Sequence, residues 1–337
     1  MNAREWFEKN KCSAEEFSDL ESLEKEKEKK NLSVSCVIPT LNEEKTISSV
    51  VSKIKDTLVD DYHLVDEIIV VDSGSQDRTQ QVAEEAGARF SYSKDILPHY
   101  GFVKGKGENL WKSLYAASGD IIAWIDADIE NISPKFVYGL LGPLIKDPQI
   151  GFTKAFYQRP LRMDSALKSL EGGRVTELLM RPLFNLYFPQ LSCFIQPLSG
   201  EYAGRRNVLD KIPFFTGYGV EMGMLIDIER KFGLEKMVQV DLDERVHRNR
   251  PINELSKMSF EILQAFSEKA NALGVFVNLD KINSIYTIIE PKFNGTQKPE
   301  YELHTNPIFA RQRPPMVTIP EYREKFLSGR NSIYARY

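Results

Sequence analysis

The chain has 337 residues, of which 42% are hydrophobic and 27% charged, and its formal net charge is −4 at pH 7. This composition is typical of a globular protein with one large or two modest domains, and the acidic balance offers no basic surface for nucleic acid. Three cysteines without metal-type spacing predict a reducing compartment rather than a disulfide framework. The N-terminus has no cleavable apolar segment and no apolar run approaches the roughly 20 residues that span a bilayer, so we expect a cytoplasmic protein without a membrane partner.

The first half of the chain predicts alternating strands and helices. Residues 1–32 include the mixed-charge run ESLEKEKEKKN, typical of a solvated helix or tether, so we place the main domain after it. Three apolar, β-branched runs then read as strands buried on both faces: VSCVI (34–38), EIIVV (67–71) and DIIAWI (120–125). Apolar residues at helical spacing lie between them: Ile47, Val50, Val51, Ile54 and Leu58, then Leu110, Leu114 and Ala117. This order predicts a doubly wound, mostly parallel α/β sheet with a nucleotide-binding region over residues 33–150.

The second half is less regular. GGRVTELLMRPLFNLYF (172–188) is amphipathic, TGYGVEMGMLIDIERKFG (216–233) predicts a helix closed by Gly233, and VQVDLDERVHRNR (238–250) alternates like a strand before a basic cluster. From about residue 254 another helix begins. We therefore predict a second functional region over residues 151–253 and a C-terminal helical arm over 254–337, a candidate dimerisation element.

A polar cluster follows each predicted strand of the first half. The clusters are PTLNEEK (39–45), DSGSQDRT (72–79) and DADIE (126–130). Ligands of doubly wound sheets bind outside the carboxyl ends of the strands, so the three clusters share the expected binding edge. In an extended segment Asp126 and Asp128 point the same way, and such a pair suits Mg²⁺ or Mn²⁺ bound together with substrate phosphate. The pair alone equally fits a polar turn that ends a strand.

Two further motifs also have structural alternatives. Ser73 and its neighbours in DSGSQDRT suit a ribose or base edge, but on this motif alone a helix cap, with Ser75 as a candidate, is the favoured interpretation. VKGKGENLW (103–111) places Lys106 between two glycines at a helix start, where backbone N–H groups and the lysine can meet phosphate. A surface loop explains that motif equally well.

Taken together, eight motifs resemble those of the glucosyl-3-phosphoglycerate synthases, which have the A-type glycosyltransferase fold. They occur in order over roughly residues 33–250: PTLNEE, DSGSQDRT, GKGENLWKS, DADI, KAFYQRP, GGRVTELLMRPL, QPLSGEYAGRR and YGVEMGMLID. The resemblance implies a homodimeric hexosyltransferase with Mg²⁺ or Mn²⁺ as cofactor. It implies transfer of glucose from UDP-glucose to 3-phosphoglycerate with retention of configuration, in the synthesis of glucosylglycerate, a compatible solute.

The resemblance also assigns roles to individual residues. Those lining the uracil and ribose site would be Pro39, Leu41, Glu43 and Ser73, with Lys106 on the nucleotide and Asp126 on the ribose or sugar. Asp128 and His247 would bind the metal, since an imidazole can complete a site otherwise filled by diphosphate oxygens. The acceptor anion would meet a helix start and nearby polar groups: Gly173, Arg174, Thr176 and Asn249, with Arg245, Arg248 and Arg250 closing over it. Tyr218 and Glu221 would contact the transferred sugar.

The proposed catalysis is mainly electrostatic. The metal held by Asp128, together with Lys106, would stabilise the charge that develops on the leaving diphosphate. Glu221 is the nearest candidate for a covalent nucleophile, but we favour departure and attack on one face of the sugar.

Three alternatives stay open on the sequence. A mannosyl-3-phosphoglycerate synthase using GDP-mannose stays open because glucose and mannose differ only at one hydroxyl configuration and pocket shape decides between uracil and guanine. A polyprenyl-phosphate glycosyltransferase shares PTLNEE and Asp-x-Asp, but the acceptor motif GGRVTEL and the lack of a membrane segment disfavour it. A catalytically silent nucleotide-sugar sensor is disfavoured because Asp128, His247 and Arg174 are all present.

Overall fold

The computed structural model describes residues 3–158, 161–162, 168–169, 173–246, 251–274, 285–292, 300–308 and 311–326. The strands in chain order are β1 (Lys11–Ser13), β2 (Val34–Thr40), β3 (Glu67–Asp72), β4 (Arg89–Tyr92), β5 (Ile121–Trp124), β6 (Phe152–Gln158), β7 (Leu161–Arg162), β8 (Lys168–Ser169), β9 (Tyr202–Arg205), β10 (Phe214–Phe215), β11 (Met237–Glu244), β12 (Ile285–Lys292), β13 (Glu300–Pro307) and β14 (Gln312–Arg313). The α-helices are α1 (Ala3–Lys9), α2 (Leu20–Lys29), α3 (Ile47–Lys55), α4 (Thr79–Glu85), α5 (Lys106–Ala116), α6 (Lys135–Lys146), α7 (Arg181–Tyr187), α8 (Arg206–Leu209), α9 (Val220–Phe232), α10 (Ile252–Ala272) and α11 (Pro320–Phe326).

Eight strands form the central sheet, in the order β1-β11-β6-β9-β5-β2-β3-β4. Every neighbouring pair is parallel except the two pairs made by β9, which runs antiparallel to both β5 and β6. The chain builds β3 and β4 on one side of β2 and later adds β5 on the other side, so the strand order reverses between β2 and β5. In such sheets this reversal opens the ligand-binding crevice.

The core lies on both faces of the sheet. Val37 and Ile69 point into one apolar cluster, while Cys36, Ile38 and Val70 point into the other, and all five are fully buried. Successive side chains of a strand face opposite sides, so two covered faces require a continuous apolar run. This confirms the three predicted strands of the first half, each within two residues of its predicted ends.

The N-terminal segment belongs to the sheet. Residues Lys11–Ser13 pair in parallel with β11, and the indole N–H of the fully buried Trp6 donates to the Met237 carbonyl at 3.0 Å. This corrects the placement of the main domain after residue 32, although the charged run does form a helix, α2. A three-residue strand is too short to show a periodicity. The boundaries at residues 150 and 253 stay predictions.

The C-terminal arm is only partly helical. The predicted helix is present as α10, but β12 and β13 form an antiparallel hairpin after it, and β14 pairs with β10. The first hairpin strand, IYTIIEPK, is rich in β-branched and aromatic residues, which favour a strand. The predicted C-terminal helical arm therefore contains helices and also strands, which were not predicted from the sequence.

The helix over residues 216–233 is confirmed as α9, and Gly233 ends it with φ +91°. The three cysteines are free thiols. Within the described part of the chain, no helix combines the length and apolarity needed to cross a bilayer.

Candidate active site

The carboxyl edge of the sheet collects the candidate residues from five strands. Leu41 follows β2, Ser73 follows β3, Asp126 follows β5 and Arg245 follows β11. Because β9 is antiparallel, its beginning lies at this edge, which brings Glu201 there as well. The predicted polar clusters therefore lie at one edge of the sheet. Glu201 and Arg245 lie at the same edge, although the sequence did not predict that they contact the carboxylates there.

The loops after β2 and β3 are joined to each other. The Ser75 hydroxyl accepts the backbone N–H of Asn42 at 2.7 Å, and the Thr79 hydroxyl accepts that of Glu43 at 2.8 Å. Both oxygens of the buried Asp72 fix the turn that follows β3, since one accepts the N–H of Ser75 at 2.7 Å and the other its hydroxyl. The Ser75 hydroxyl thus joins two loops, so its interpretation as a helix cap was wrong.

The predicted nucleotide-contacting residues lie in these joined loops. Leu41 is 37% exposed, whereas Ser73 is buried and its hydroxyl donates to the Asn109 side chain at 2.9 Å. Pro39 and Glu43 are partly buried. Hydrogen bonds hold these loops together at the carboxyl edge, but the contacts of the four residues with uracil and ribose stay predictions.

Lys106 begins α5 and points into a carboxylate cluster. Its ammonium lies 2.6 Å from Asp126 Oδ1 and 3.0 Å from Glu221 Oε1. Burial lowers its pKa, but the carboxylates of Asp126 and Glu221 outweigh that effect and hold the Lys106 pKa well above its ordinary value. The ammonium therefore stays charged at any working pH.

The glycines around Lys106 have a packing role. A Cβ at Gly107 would lie 1.8 Å from the Phe215 carbonyl oxygen, and the Glu108 N–H donates to the Thr216 carbonyl at 2.8 Å. At least one N–H of this helix start is thus used within the protein. The close approach of the two backbones, rather than a phosphate, accounts for glycine at position 107.

Arg245 is the central cation of the site. Its side chain is 5% exposed and lies 3.1 Å from Asp126, 2.7 Å from Asp128 and 3.0 Å from Glu201. Burial lowers its pKa, but the surrounding acids, Glu201 first among them, raise that pKa well above its ordinary value. In this structure the guanidinium binds the Asp-x-Asp pair, and the closing of Arg245 over the acceptor stays a prediction.

Behind the edge lies a second layer of buried polar groups. Burial raises the pKa of Glu201, while Arg245 opposes that shift, and the Tyr157 hydroxyl donates to Glu201 at 2.5 Å. Lys154, from the motif KAFYQRP, is also buried: its ammonium donates to the Ser199 carbonyl at 2.7 Å and lies 4.2 Å from the centre of the Tyr202 ring. Burial lowers the Lys154 pKa to about 7.

The aspartates of the Asp-x-Asp motif fit the predicted metal. Their side chains are 21% and 24% exposed, so both carboxylates reach the binding edge. Oxygen donors of this kind suit Mg²⁺ or Mn²⁺ that also takes substrate phosphate oxygens. Among the described residues no group of three or more His, Cys, Asp or Glu side chains is placed to hold a metal by itself. His247, the second predicted ligand, lies outside the described residues.

The predicted acceptor and sugar residues come from two further segments. Gly173, with φ +87°, precedes a helical stretch in which Thr176 is buried and Arg174 partly buried, so the predicted helix start is confirmed. Tyr218 precedes α9, and Glu221 lies in the first turn of that helix, 5% exposed, against Lys106. Asn249, Arg248 and Arg250 lie outside the described residues.

A reversed-order α/β sheet whose carboxyl edge carries joined loops, a charged lysine and an Asp-x-Asp pair defines the class of A-type glycosyltransferases. The family model described as glycosyl transferase family 2 matches residues 35–213. A glucosyl-3-phosphoglycerate synthase of Petrotoga mobilis is 53% identical over 310 residues, which cover 92% of this chain and 94% of the relative. The chain therefore belongs to glycosyl transferase family 2, and its similarity to glucosyl-3-phosphoglycerate synthases confirms the resemblance seen in the motifs.

Solved structures agree with this assignment. The crystal structure of mannosyl-3-phosphoglycerate synthase from Rubrobacter xylanophilus has a TM-score of 0.83 and 36% identity, covering 94% of this chain and 97% of that one. Glucosyl-3-phosphoglycerate synthase from Mycobacterium tuberculosis, in complex with Mn²⁺, UDP-glucose and phosphoglyceric acid, has a TM-score of 0.73 and 41% identity, covering 88% and 94%. The predicted A-type fold is confirmed.

Proposed function

We propose that this protein transfers glucose from UDP-glucose to 3-phosphoglycerate, with Mg²⁺ or Mn²⁺ as cofactor. The observation that carries the proposal is the convergence of Lys106, Asp126, Asp128 and Glu221 at the sheet's reversal edge, in a chain so similar to glucosyl-3-phosphoglycerate synthases. The similar glucosyl-3-phosphoglycerate synthase from Mycobacterium tuberculosis has been solved with Mn²⁺, UDP-glucose and phosphoglyceric acid bound together. The product is glucosyl-3-phosphoglycerate, a precursor of glucosylglycerate.

The chain's own residues would act mainly through charge and position. The joined loops after β2 and β3 hold the nucleoside, with Pro39, Leu41, Glu43 and Ser73 around uracil and ribose. The Lys106 ammonium, which stays protonated, stabilises negative charge as the diphosphate leaves. Asp128 and His247 would hold the metal, which when bound acts as a Lewis acid and stabilises negative charge on the diphosphate.

A second set of residues would hold the acceptor and the sugar, with the acceptor on the same face of the sugar as the leaving diphosphate. Gly173, Arg174, Thr176 and Asn249 would bind the carboxylate and phosphate of 3-phosphoglycerate, while Tyr218 and Glu221 orient the glucose. Anions suit the start of a helix with an adjacent guanidinium.

The stereochemical course belongs to the proposal. The Glu221 carboxylate lies 3.0 Å from the Lys106 ammonium and 3.5 Å from the Tyr202 hydroxyl, and it is 5% exposed. A carboxylate so engaged supports front-face attack over a covalent glucosyl-Glu221 intermediate. Proton NMR of the product should show an α-linked glucose, and a β-linked product would contradict retention.

The decisive experiment offers purified protein UDP-glucose or GDP-mannose with 3-phosphoglycerate, with Mg²⁺ and with chelator. We expect metal-dependent formation of glucosyl-3-phosphoglycerate. GDP-mannose is included because a mannosyl-3-phosphoglycerate synthase is among the similar structures. A parallel reaction offers a polyprenyl phosphate in place of 3-phosphoglycerate, and transfer to it alone would favour the lipid acceptor. Donor binding without any transfer would favour a sensor.

A cytoplasmic homodimer is also part of this proposal. Sedimentation analysis should then give twice the 38.6 kDa mass of the chain. A single-chain mass at micromolar concentration would exclude the dimer.

A further inference from the structure

The loop of residues 216–219 lies between the helix that carries Lys106 and the long helix α10. On one side, the Thr216 carbonyl accepts the N–H of Glu108 at 2.8 Å, two residues after Lys106. On the other side, the backbone N–H of Tyr218 donates to Oε1 of Glu261 at 2.7 Å, in the middle of α10. The loop leads directly into the first turn of α9, so it fixes where the sugar-binding candidates sit.

The contact between this loop and α10 is close. A Cβ at Gly217 would lie 1.3 Å from Glu261 Oε1, and a Cβ at Gly219 would lie 2.4 Å from the Cβ of Ala265. Glu261 and Ala265 are one helical turn apart on α10, so the loop packs flat on one face of that helix. The position of the Glu261 carboxylate and the position of Tyr218 are therefore coupled.

We propose that Glu261 is a positioning residue that holds Tyr218 and the first turn of α9 at the place where the transferred sugar binds. Glu261 lies beyond residues 35–213, the part matched by the family model. The inference rests on the proposed function, which it deepens by adding a support for the sugar subsite. The nucleotide loops after β2 and β3 are built by other elements, so Glu261 should affect the sugar and not the uridine.

The chemistry of the carboxyl group suggests the right substitutions. Burial raises the pKa of Glu261 to about 7, so near neutral pH the group is partly protonated. Glu261→Gln keeps a neutral acceptor oxygen of the same reach, whereas Glu261→Ala removes the acceptor and leaves the Tyr218 N–H without it. Glu268→Ala is the matched control, since Glu268 is also partly buried on α10.

The first test compares kinetics with nucleotide binding. In Glu261→Ala we expect kcat for glucosyl transfer to fall about tenfold to a hundredfold, as for a lost hydrogen bond to an acidic group, while the Kd of UDP with Mn²⁺ stays within about twofold. Glu261→Gln should recover kcat to within about threefold of wild type, and Glu268→Ala should leave it unchanged. Equal melting temperatures exclude general unfolding as the cause.

The second test uses Gly217. A Cβ added at Gly217 would overlap Oε1 of Glu261 and force its carboxylate to move. Space is available nearby, because Glu261, Tyr218 and Lys257 help to line an adjoining cavity of about 620 Å³. Gly217→Ala should therefore lower kcat as Glu261→Ala does. In the double variant Gly217→Ala/Glu261→Ala the new methyl group has no carboxylate to displace. Its kcat should therefore be about as low as that of Glu261→Ala alone, and the two reductions in kcat should not multiply.

Three outcomes would overturn the inference: a wild-type kcat in Glu261→Ala, a Gln variant as impaired as the Ala variant, or losses that multiply in the double variant. Failure of the proposed function is distinguishable, because the wild-type protein itself would then form no glucosyl-3-phosphoglycerate.

Discussion

Replacing Arg245 by methionine tests the charge arrangement at the centre of the site. Arg245 is 5% exposed and pairs with Glu201, which is fully buried, and with Asp126 and Asp128, which are 21% and 24% exposed. Removing one partner of a buried ion pair costs about 3–5 kcal/mol. Without Arg245 the two aspartates can be hydrated at the edge of the sheet, whereas Glu201 cannot. Only one of the three ion pairs therefore leaves a buried charge, and we expect the free energy of unfolding to fall by about 3 kcal/mol, near the lower limit.

The loss of stability in Arg245→Met should grow as the pH rises. Burial already raises the Glu201 pKa, and without Arg245 it would rise further above the unfolded value of about 4.3. A folded state that holds this proton is penalised as pH rises above the unfolded pKa. Arg245→Met should therefore be more destabilising at pH 8 than at pH 5.

The measurement is urea unfolding of wild type, Arg245→Met and the double variant Arg245→Met/Glu201→Gln at both pH values. Gln removes the stranded charge, so the double variant should be more stable than the single one at pH 8. The control is Arg4→Met, whose side chain is 89% exposed beside Glu8 and should cost less than about 1 kcal/mol. A loss as small as that of Arg4→Met, or one that is equal at pH 5 and pH 8, would refute the reasoning.

Three further predictions concern single residues. Asp128→Ala should lower kcat roughly a thousandfold, equivalent to about 4 kcal/mol of lost stabilisation, while the surface control Asp60→Ala keeps normal turnover; near-normal activity with unchanged metal dependence would exclude the assignment. Lys154 has a pKa of about 7 in the folded protein and about 10.4 in the unfolded chain. Between pH 7 and pH 10 only the unfolded chain holds this proton, so the free energy of unfolding of wild type should rise with pH, and Lys154→Met should lack that part of the rise. Equal pH dependence of the unfolding free energy in the two proteins would contradict the shift. Arg174→Ala should raise the KM for 3-phosphoglycerate about tenfold and leave the KM for UDP-glucose unchanged, and the reverse pattern would remove Arg174 from the acceptor site.

The location of the site could be predicted from sequence because two strong rules apply to this sheet. Strands covered on both faces must be continuous apolar runs, and ligands of doubly wound sheets bind at the carboxyl ends of the strands. Together these rules predict that Ser73 and Asp126 lie at one edge of the sheet. The spacing of Asp126 and Asp128 suggested a divalent metal, whereas the role of His247 and the acceptor and sugar roles came from the motif resemblance.

The missed residues reach the site by routes that the rules do not cover. Glu201 precedes its strand, and it lies at the carboxyl edge only because β9 runs antiparallel. Strand direction depends on long-range pairing, which a short apolar run does not reveal. Arg245 did follow a predicted strand, but the sequence could not tell a carboxylate partner from an acceptor partner. One sequence signal favoured a carboxylate partner. Arg245 follows a predicted strand just as Asp126 does, so both side chains are expected at the carboxyl edge of the sheet.

The balance of charge in the described part of the site gives a physical reason for the cofactor. Four carboxylates, from Asp126, Asp128, Glu201 and Glu221, face the cations of Lys106 and Arg245, with Lys154 behind them only partly protonated near neutral pH. This group is net negative, and a nucleoside diphosphate brings further negative charge to the same edge. Repulsion between the two is costly where burial weakens solvent screening. A divalent cation between the Asp-x-Asp carboxylates and the diphosphate removes that repulsion, so metal and nucleotide should bind with positive cooperativity at this edge.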